Sequence, residues 1–415
     1  MSNRDNNTGP QGEPTAEELK ARFGRDIFRD FSFEDASFNE NFFDILDAQL
    51  KHCPVARSNV GHGYWWVSRH EDVRRIAQDW KTFSNALGYQ PNRPEGVPYL
   101  YPEECDPPVH TAWRNLLSPF LSPKACAGFD AMVREDVNTL IDRFIGRGEC
   151  EFISAFGGLV PGWAFFKNVC GVPLEDLKML IDDLEFANFA PASESEKKGK
   201  CFENVFNYLN DFLKLRSKQA PRGDMVDAIA KGVVYQDGTA STWDENLSVL
   251  VDLVQGAIAT TTYVMGSSIH HLATHPEDVK LLRDNPELMP QAVEEFIRVF
   301  PPIVALGRTC MKDVEVAGTA IKQGDFVMVV YSAASRDPRV VDNPAMVDIT
   351  RKNIIHSTFG IGPHRCIGSN LARMELKATL QEWLKRIPEF SVKPATSPVY
   401  NTAFMRSMHK LELVF

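Results

Sequence analysis

The 415-residue sequence has no Cys-x-x-Cys pair, and a chain of this length does not need a disulfide framework. Its eight cysteines, at 53, 105, 126, 150, 170, 201, 310 and 366, are scattered singly, so a reducing compartment is the expectation. There is no surplus of positive charge. The formal charge of -10 excludes nucleic acid as the main partner, because phosphate binding needs a basic surface. No run approaches the roughly 18 uncharged apolar residues of a spanning helix, and Met1 to Ala21 is polar and mixed in charge. A cytoplasmic protein without a membrane partner is therefore expected. The chain also lacks a Gly-rich flavin or nicotinamide fingerprint, an internal repeat and a low-complexity tract.

What is present is ordinary globular composition, 44% hydrophobic and 24% charged, enough to bury a large core. Length alone suggests two or three domains, yet nothing in the middle reads as a linker. Residues 1–24 are expected to be disordered and 25–415 to form one domain. Tyr64–Val67 reads as a strand, His70–Asp79 as a short helix, and residues 126–235 as largely helical with breaks near Val172 and Pro191. Val314–Tyr331 alternates as strands do, with a turn at Lys322–Gly324. The Pro-, Gly- and Tyr-rich stretch from Asn85 to Pro108 is too long for a mere connector.

One stretch dominates the rest: Phe359-Gly-Ile-Gly-Pro-His-Arg-Cys-Ile-Gly368. It reads as a tight loop presenting the Cys366 thiolate to an iron. Gly360, Gly362 and Gly368 permit left-handed φ and close backbone approach, so amide N–H groups can face the sulfur. Phe359 can shield it from water. Apolar residues at helical spacing follow from Ser369, which puts the thiolate near a helix N-terminus. A lone cysteine in a Gly-rich turn is ordinarily a core thiol. Six specified positions matching together, however, should occur by chance in about one such chain in ten thousand or fewer.

A second element opens at Thr242-Trp-Asp-Glu245, a capping box, and extends as a helix to about Thr274, roughly 48 Å. Leu247 to Val254 is apolar on nearly every face, as for a buried helix. Gly256 and the β-branched Thr260, Thr261 and Thr262 then weaken it, which suggests a kink or a bound ligand as well as close packing. His110 and Arg114 share one helix face. Glu295 and Arg298 lie at i, i+3.

The cysteine loop resembles the haem-binding signature of the cytochrome P-450 monooxygenases. The resemblance covers about residues 25–415 and looks closest to the soluble bacterial branch that includes camphor hydroxylases, especially over His356–Glu389. It implies a mainly α fold with a small β region (α+β), and a haem b (iron protoporphyrin IX) between the long central helix and the cysteine loop. It further implies Cys366 as iron ligand and Phe359 as its cover, with His110, Arg114, Arg308 and His364 on the haem carboxylates. Gly256 and Ala257 would leave room above the haem, and Thr260 would steer protons to O2. The family usually has an acid before that threonine; here it is Ala259. Tyr99, Leu100 and Tyr101 from the lid, with Tyr89 beside them, Ile303 and Val304, and Phe404 and Met405 would wall the substrate pocket.

Glu295-x-x-Arg298 matches a structural motif whose third basic partner falls near Met346, leaving open what completes it. The activity implied is insertion of one oxygen atom from O2 into a small hydrophobic substrate such as a terpenoid or aromatic. Electrons would come from a ferredoxin and ferredoxin reductase, docking near Arg365, Arg351 and Lys352, with the protein a monomer. A peroxide-driven haem-thiolate enzyme and a haem sensor remain as alternatives.

Overall fold

The computed structural model describes residues 15–33, 35–91, 93, 98–190, 192–402 and 405–415. Helices dominate, with four small sheets among the described residues. The largest sheet has five strands in the spatial order Val55–Ser58, Tyr64–Val67, Phe326–Val329, Leu306–Cys310, Phe83–Ser84. The second and third of these run parallel, pairing Trp66 with Met328, and the other neighbours are antiparallel. Tyr64–Val67 forms where aromatic and branched residues cluster. The Val314–Val316, Thr319–Ile321 and Phe326–Val329 strands occupy the alternating stretch, with Gly324 at φ 88° in the turn.

The main apolar core lies among the helices, around Trp113, Phe156, Leu250 and Trp383. A second core packs the N-terminal segment on the sheet through Phe31, Phe38, Trp66 and Met328. The expected disordered tail does not extend to residue 24. Ala16–Phe23 is a helix with a Thr15–Glu18 capping box, and Leu19 and Phe23 are buried in the second core.

The central helix starts at its predicted cap: the Glu245 amide donates to Thr242 Oγ1 at 3.2 Å and the Thr242 amide to Glu245 at 2.7 Å. It is two helices, Trp243–Ala257 and Ala259–Thr274, with Ile258 at φ -98°, ψ -66° between them. Threonine hydroxyls bridge the break. Thr260 donates to the Gly256 carbonyl at 2.9 Å and Thr262 to the Ile258 carbonyl at 3.0 Å. By length and hydropathy the run Trp243–Thr274 is apolar enough to cross a membrane, although Gln255, Thr260 to Thr262, Ser267, Ser268, His270 and His271 interrupt its apolar sequence. Its most apolar window is 61% buried inside the protein, as in a core helix.

Glu295 and Arg298 are wholly buried and paired at 2.7 Å. The third basic partner is Arg351, whose Nε lies 3.0 Å from Glu295. Met346 contributes only its carbonyl, which accepts from Arg298 at 2.9 Å. Together these contacts fix the 335–351 segment under the cysteine loop. Arg351 is therefore not a free surface cation, which removes it from the expected docking face.

Candidate functional site

Gly360 at φ 68° and Gly362 at φ 79° shape the cysteine loop. A Cβ on Gly362 would come 2.4 Å from the Ala77 carbonyl oxygen, so only glycine fits there. Gly368 differs from expectation: its φ is -78° and it caps the Ser369–Arg386 helix. The Cys366 amide donates to the Phe359 carbonyl at 2.7 Å, closing the loop. Cys366 is exposed, and its open face lies on a cavity. Burial raises the thiol pKa, and the Gly368 amide and Arg114 pull it back down. Phe359 covers the loop, with the Arg373 guanidinium 4.5 Å above its ring.

The cavity has a volume of about 270 Å³ and extends from Cys366 to the central helix. Gly256, Ala257 and Thr260 line it on the helix side, and Ile303 and Met405, joined by a β-bridge, line another wall. His110, Arg114, Arg308 and His364 also face it. The His110 and His364 rings lie 4.1 Å apart. Burial lowers the His110 pKa to about 4, with Arg114 adding to the effect, and lowers that of His364 further. Arg308 is 2% exposed and donates to the Gly307 carbonyl at 2.7 Å and to Tyr331 Oη at 3.3 Å.

Among the described residues neither Arg114 nor Arg308 has a carboxylate within 4 Å. His364 Nε2 is buried with no hydrogen-bond partner. One buried and one half-buried guanidinium, with an orphaned imidazole nitrogen, around one cavity call for a dianionic guest with two carboxylates. A porphyrin with two propionates over a thiolate meets that requirement. A Cytochrome P450 family model matches residues 174–411.

The chain belongs to the cytochrome P450 family.

Cytochrome P450 130 of Mycobacterium tuberculosis is 30% identical over 358 residues, 84% of this chain and 87% of that one. Probable cytochrome P450 127A1 of Sinorhizobium fredii is 29% identical, covering 82% of this chain and 80% of its own. The structure of CYP101J2 superposes with a TM-score of 0.82 at 27% identity, covering 94% of this chain and 97% of that one. This meets the expected likeness to the branch that includes camphor hydroxylases. This P450 is thus a haem-dependent monooxygenase that uses haem b and O2, and its mainly α fold with small sheets is the P450 fold.

Several expected pocket residues are elsewhere. Tyr99 is 41% exposed, with Arg93 stacked 4.1 Å over its ring. Tyr101 packs on the helical core, and its amide donates to Ser248 at 2.9 Å. Val304 is buried in the second core, its carbonyl held by Ser332. Phe404 lies outside the described residues. From the lid it is Tyr89, Leu100, Pro102 and Glu103 that reach the cavity. Ala259 lines a different cavity of about 50 Å³ on the other side of the helix, together with Glu185 and His409. Asn188 and Gln255 line both cavities.

Sequence reasoning missed Asp252 and Glu103, which line the main cavity, and the role of Arg351. Asp252 was findable, since it lies four and eight residues before Gly256 and Thr260. Glu375, on the helix that follows Cys366, also lines the cavity, and burial raises its pKa well above the usual range.

Proposed function

We propose that this P450 oxygenates a small, largely apolar molecule held between the Gly256–Thr260 face and Cys366, drawing its electrons from a ferredoxin as a cytoplasmic monomer. The observation that carries this reading is a single cavity with a thiolate loop on one side and a broken helix on the other. Haem b, when bound, supplies the oxygen chemistry, and the protein supplies position and charge.

In this reading Cys366 ligates the iron. Arg114, Arg308, His110 and His364 anchor the two propionates, and Phe359 keeps water from the sulfur. Leu253, Phe165, Val264 and Met405 exclude water from the substrate side. Thr260 Oγ1 holds a proton at the Gly256 carbonyl and can pass it into the cavity. With alanine at 259, no acid on the helix stands next to it. The smaller cavity, lined by Glu185 and His409 and sharing Asn188 and Gln255 with the main one, has room for water, which supports proton supply without a neighbouring carboxylate.

The reading is tested by titrating the ferric protein with terpenoids, aromatics, fatty acids and steroids. A saturable low-spin to high-spin shift with one class supports it and names the class. The reduced protein with carbon monoxide should show the red-shifted band of a thiolate ligand, and its absence rejects Cys366. The same Ala259 also favours a second reading, a peroxide-driven enzyme. Turnover with peroxide but not with electron donors would establish that reading instead.

A further inference from the structure

The helix face that turns Gly256 and Thr260 into the main cavity continues one turn back to Asp252, which also lines it. Glu103 enters the same space from the lid. Among the described residues neither carboxylate has a hydrogen bond or an ion pair within 4 Å, although Arg308 acts on Glu103 and Arg114 on Asp252 through space. The contrast with the neighbouring Glu104 is direct, because that side chain takes Arg93 at 3.3 Å and the Leu100 amide at 2.8 Å.

Charge balance sharpens the point. The cations on the cavity wall are Arg114 and Arg308, while His110 and His364 are kept neutral by burial. The two carboxylates of haem b match the two arginines, and the Cys366 thiolate matches the net charge of a ferric porphyrin. Asp252 and Glu103, both half-buried, then remain without a cation of their own on the lid and central-helix side, and Glu375 is a third such acid on the helix that follows Cys366. Leu253, Phe165, Val264 and Leu306 line the same cavity, and the Tyr89 phenol, its pKa raised by burial, lies close enough to both acids for their charges to raise it further.

We propose that Asp252 and Glu103 form the polar end of the substrate site, so that the substrate is an apolar body bearing one protonated amine. The proposal rests on the haem-thiolate reading of this cavity. Burial raises the pKa of both acids, Glu103 to about 7 and Asp252 well above the usual range, the latter also through repulsion from Glu103. An ammonium group between them is the partner that restores their charged forms and is itself desolvated at no unpaired site. It would hold the apolar body toward Thr260 and Cys366.

The test uses the haem-loaded protein and two probes of the same shape, N,N-dimethylcyclohexylamine and isopropylcyclohexane, with binding read by equilibrium dialysis. The amine is expected to bind at least about tenfold tighter at neutral pH. Asp252→Asn and Glu103→Gln should each erase most of that advantage while leaving hydrocarbon binding within about twofold. Equal binding of the two probes to the unaltered protein overturns the proposal, as does an advantage that survives both substitutions. Changed haem retention with an unchanged amine-to-hydrocarbon ratio overturns it too, because the acids would then serve the haem carboxylates. The carbon monoxide spectrum is taken on each sample. A missing thiolate band rejects the cysteine reading rather than the amine site, and if one variant fails to take up haem the other carries the test.

Discussion

Thr260 shows how much one side chain can depend on the backbone around it. Its hydroxyl satisfies the Gly256 carbonyl left open by the break at Ile258, so the same atom mends the helix and faces the cavity. Replacing it with alanine removes a donor without disturbing packing. Thr260→Ala is expected to lower product per electron consumed by about 10- to 100-fold while substrate affinity holds, measured as product formed against electron-donor oxidation. A coupling ratio equal to that of the unaltered protein would remove Thr260 from proton delivery. Arg351 carries a different burden. Its side chain is 13% exposed against the wholly buried Glu295, which also pairs with Arg298. Arg351→Met leaves Glu295 with one cation instead of two, a loss of about 3 kcal/mol in denaturant unfolding. A change below about 0.5 kcal/mol would show that Arg298 alone suffices.

The elements were legible in the sequence wherever local chemistry set them. The capping box fixed the start of the central helix, the aromatic run fixed the Tyr64–Val67 strand, and the glycines of the cysteine loop fixed its turn. Gly362→Ala should therefore shorten haem retention severalfold, read by haem transfer to apomyoglobin, since both its φ and the Ala77 carbonyl forbid a Cβ. What stayed hidden depends on contacts far apart in the chain. Whether Tyr99 or Tyr89 turns inward depends on Arg93 and on the Gly307 amide, which bonds the Tyr89 carbonyl at 2.7 Å. No periodicity encodes that choice. The Glu294 bridge between helices is equally invisible, since it joins His356 at 3.0 Å and Arg373 at 3.1 Å. Burial alone would raise the Glu294 pKa, but these donors outweigh it and hold the group at about 2 against an ordinary 4.5. A depressed carboxyl stabilises fully above its unfolded pKa and loses that contribution as pH falls through the folded one. Glu294→Gln should therefore flatten the loss of stability between about pH 4.5 and 2, by at most about 3 kcal/mol. An unchanged acid limb would mean the bridge is already broken in solution.

At the scale of the whole molecule, net charge and local charge oppose each other. The chain carries -10 overall, so an acidic ferredoxin, the donor proposed above, is repelled at long range. Close to the cysteine loop the sign reverses: Arg365 is exposed beside Cys366 and Lys352 is exposed nearby, whereas Arg351 is committed to Glu295. The Debye length is about 8 Å at physiological ionic strength, so salt screens the distant repulsion before the contact attraction. First electron transfer should therefore first speed up slightly as salt is added at low ionic strength, then slow as the local pairs are screened. Arg365→Glu and Lys352→Glu should remove the slowing limb and lower the rate by about tenfold. Stopped-flow reduction under carbon monoxide across a salt series reads both effects. A rate that only rises with salt, and is the same in the charge-reversed protein, would move the docking face away from the cysteine loop.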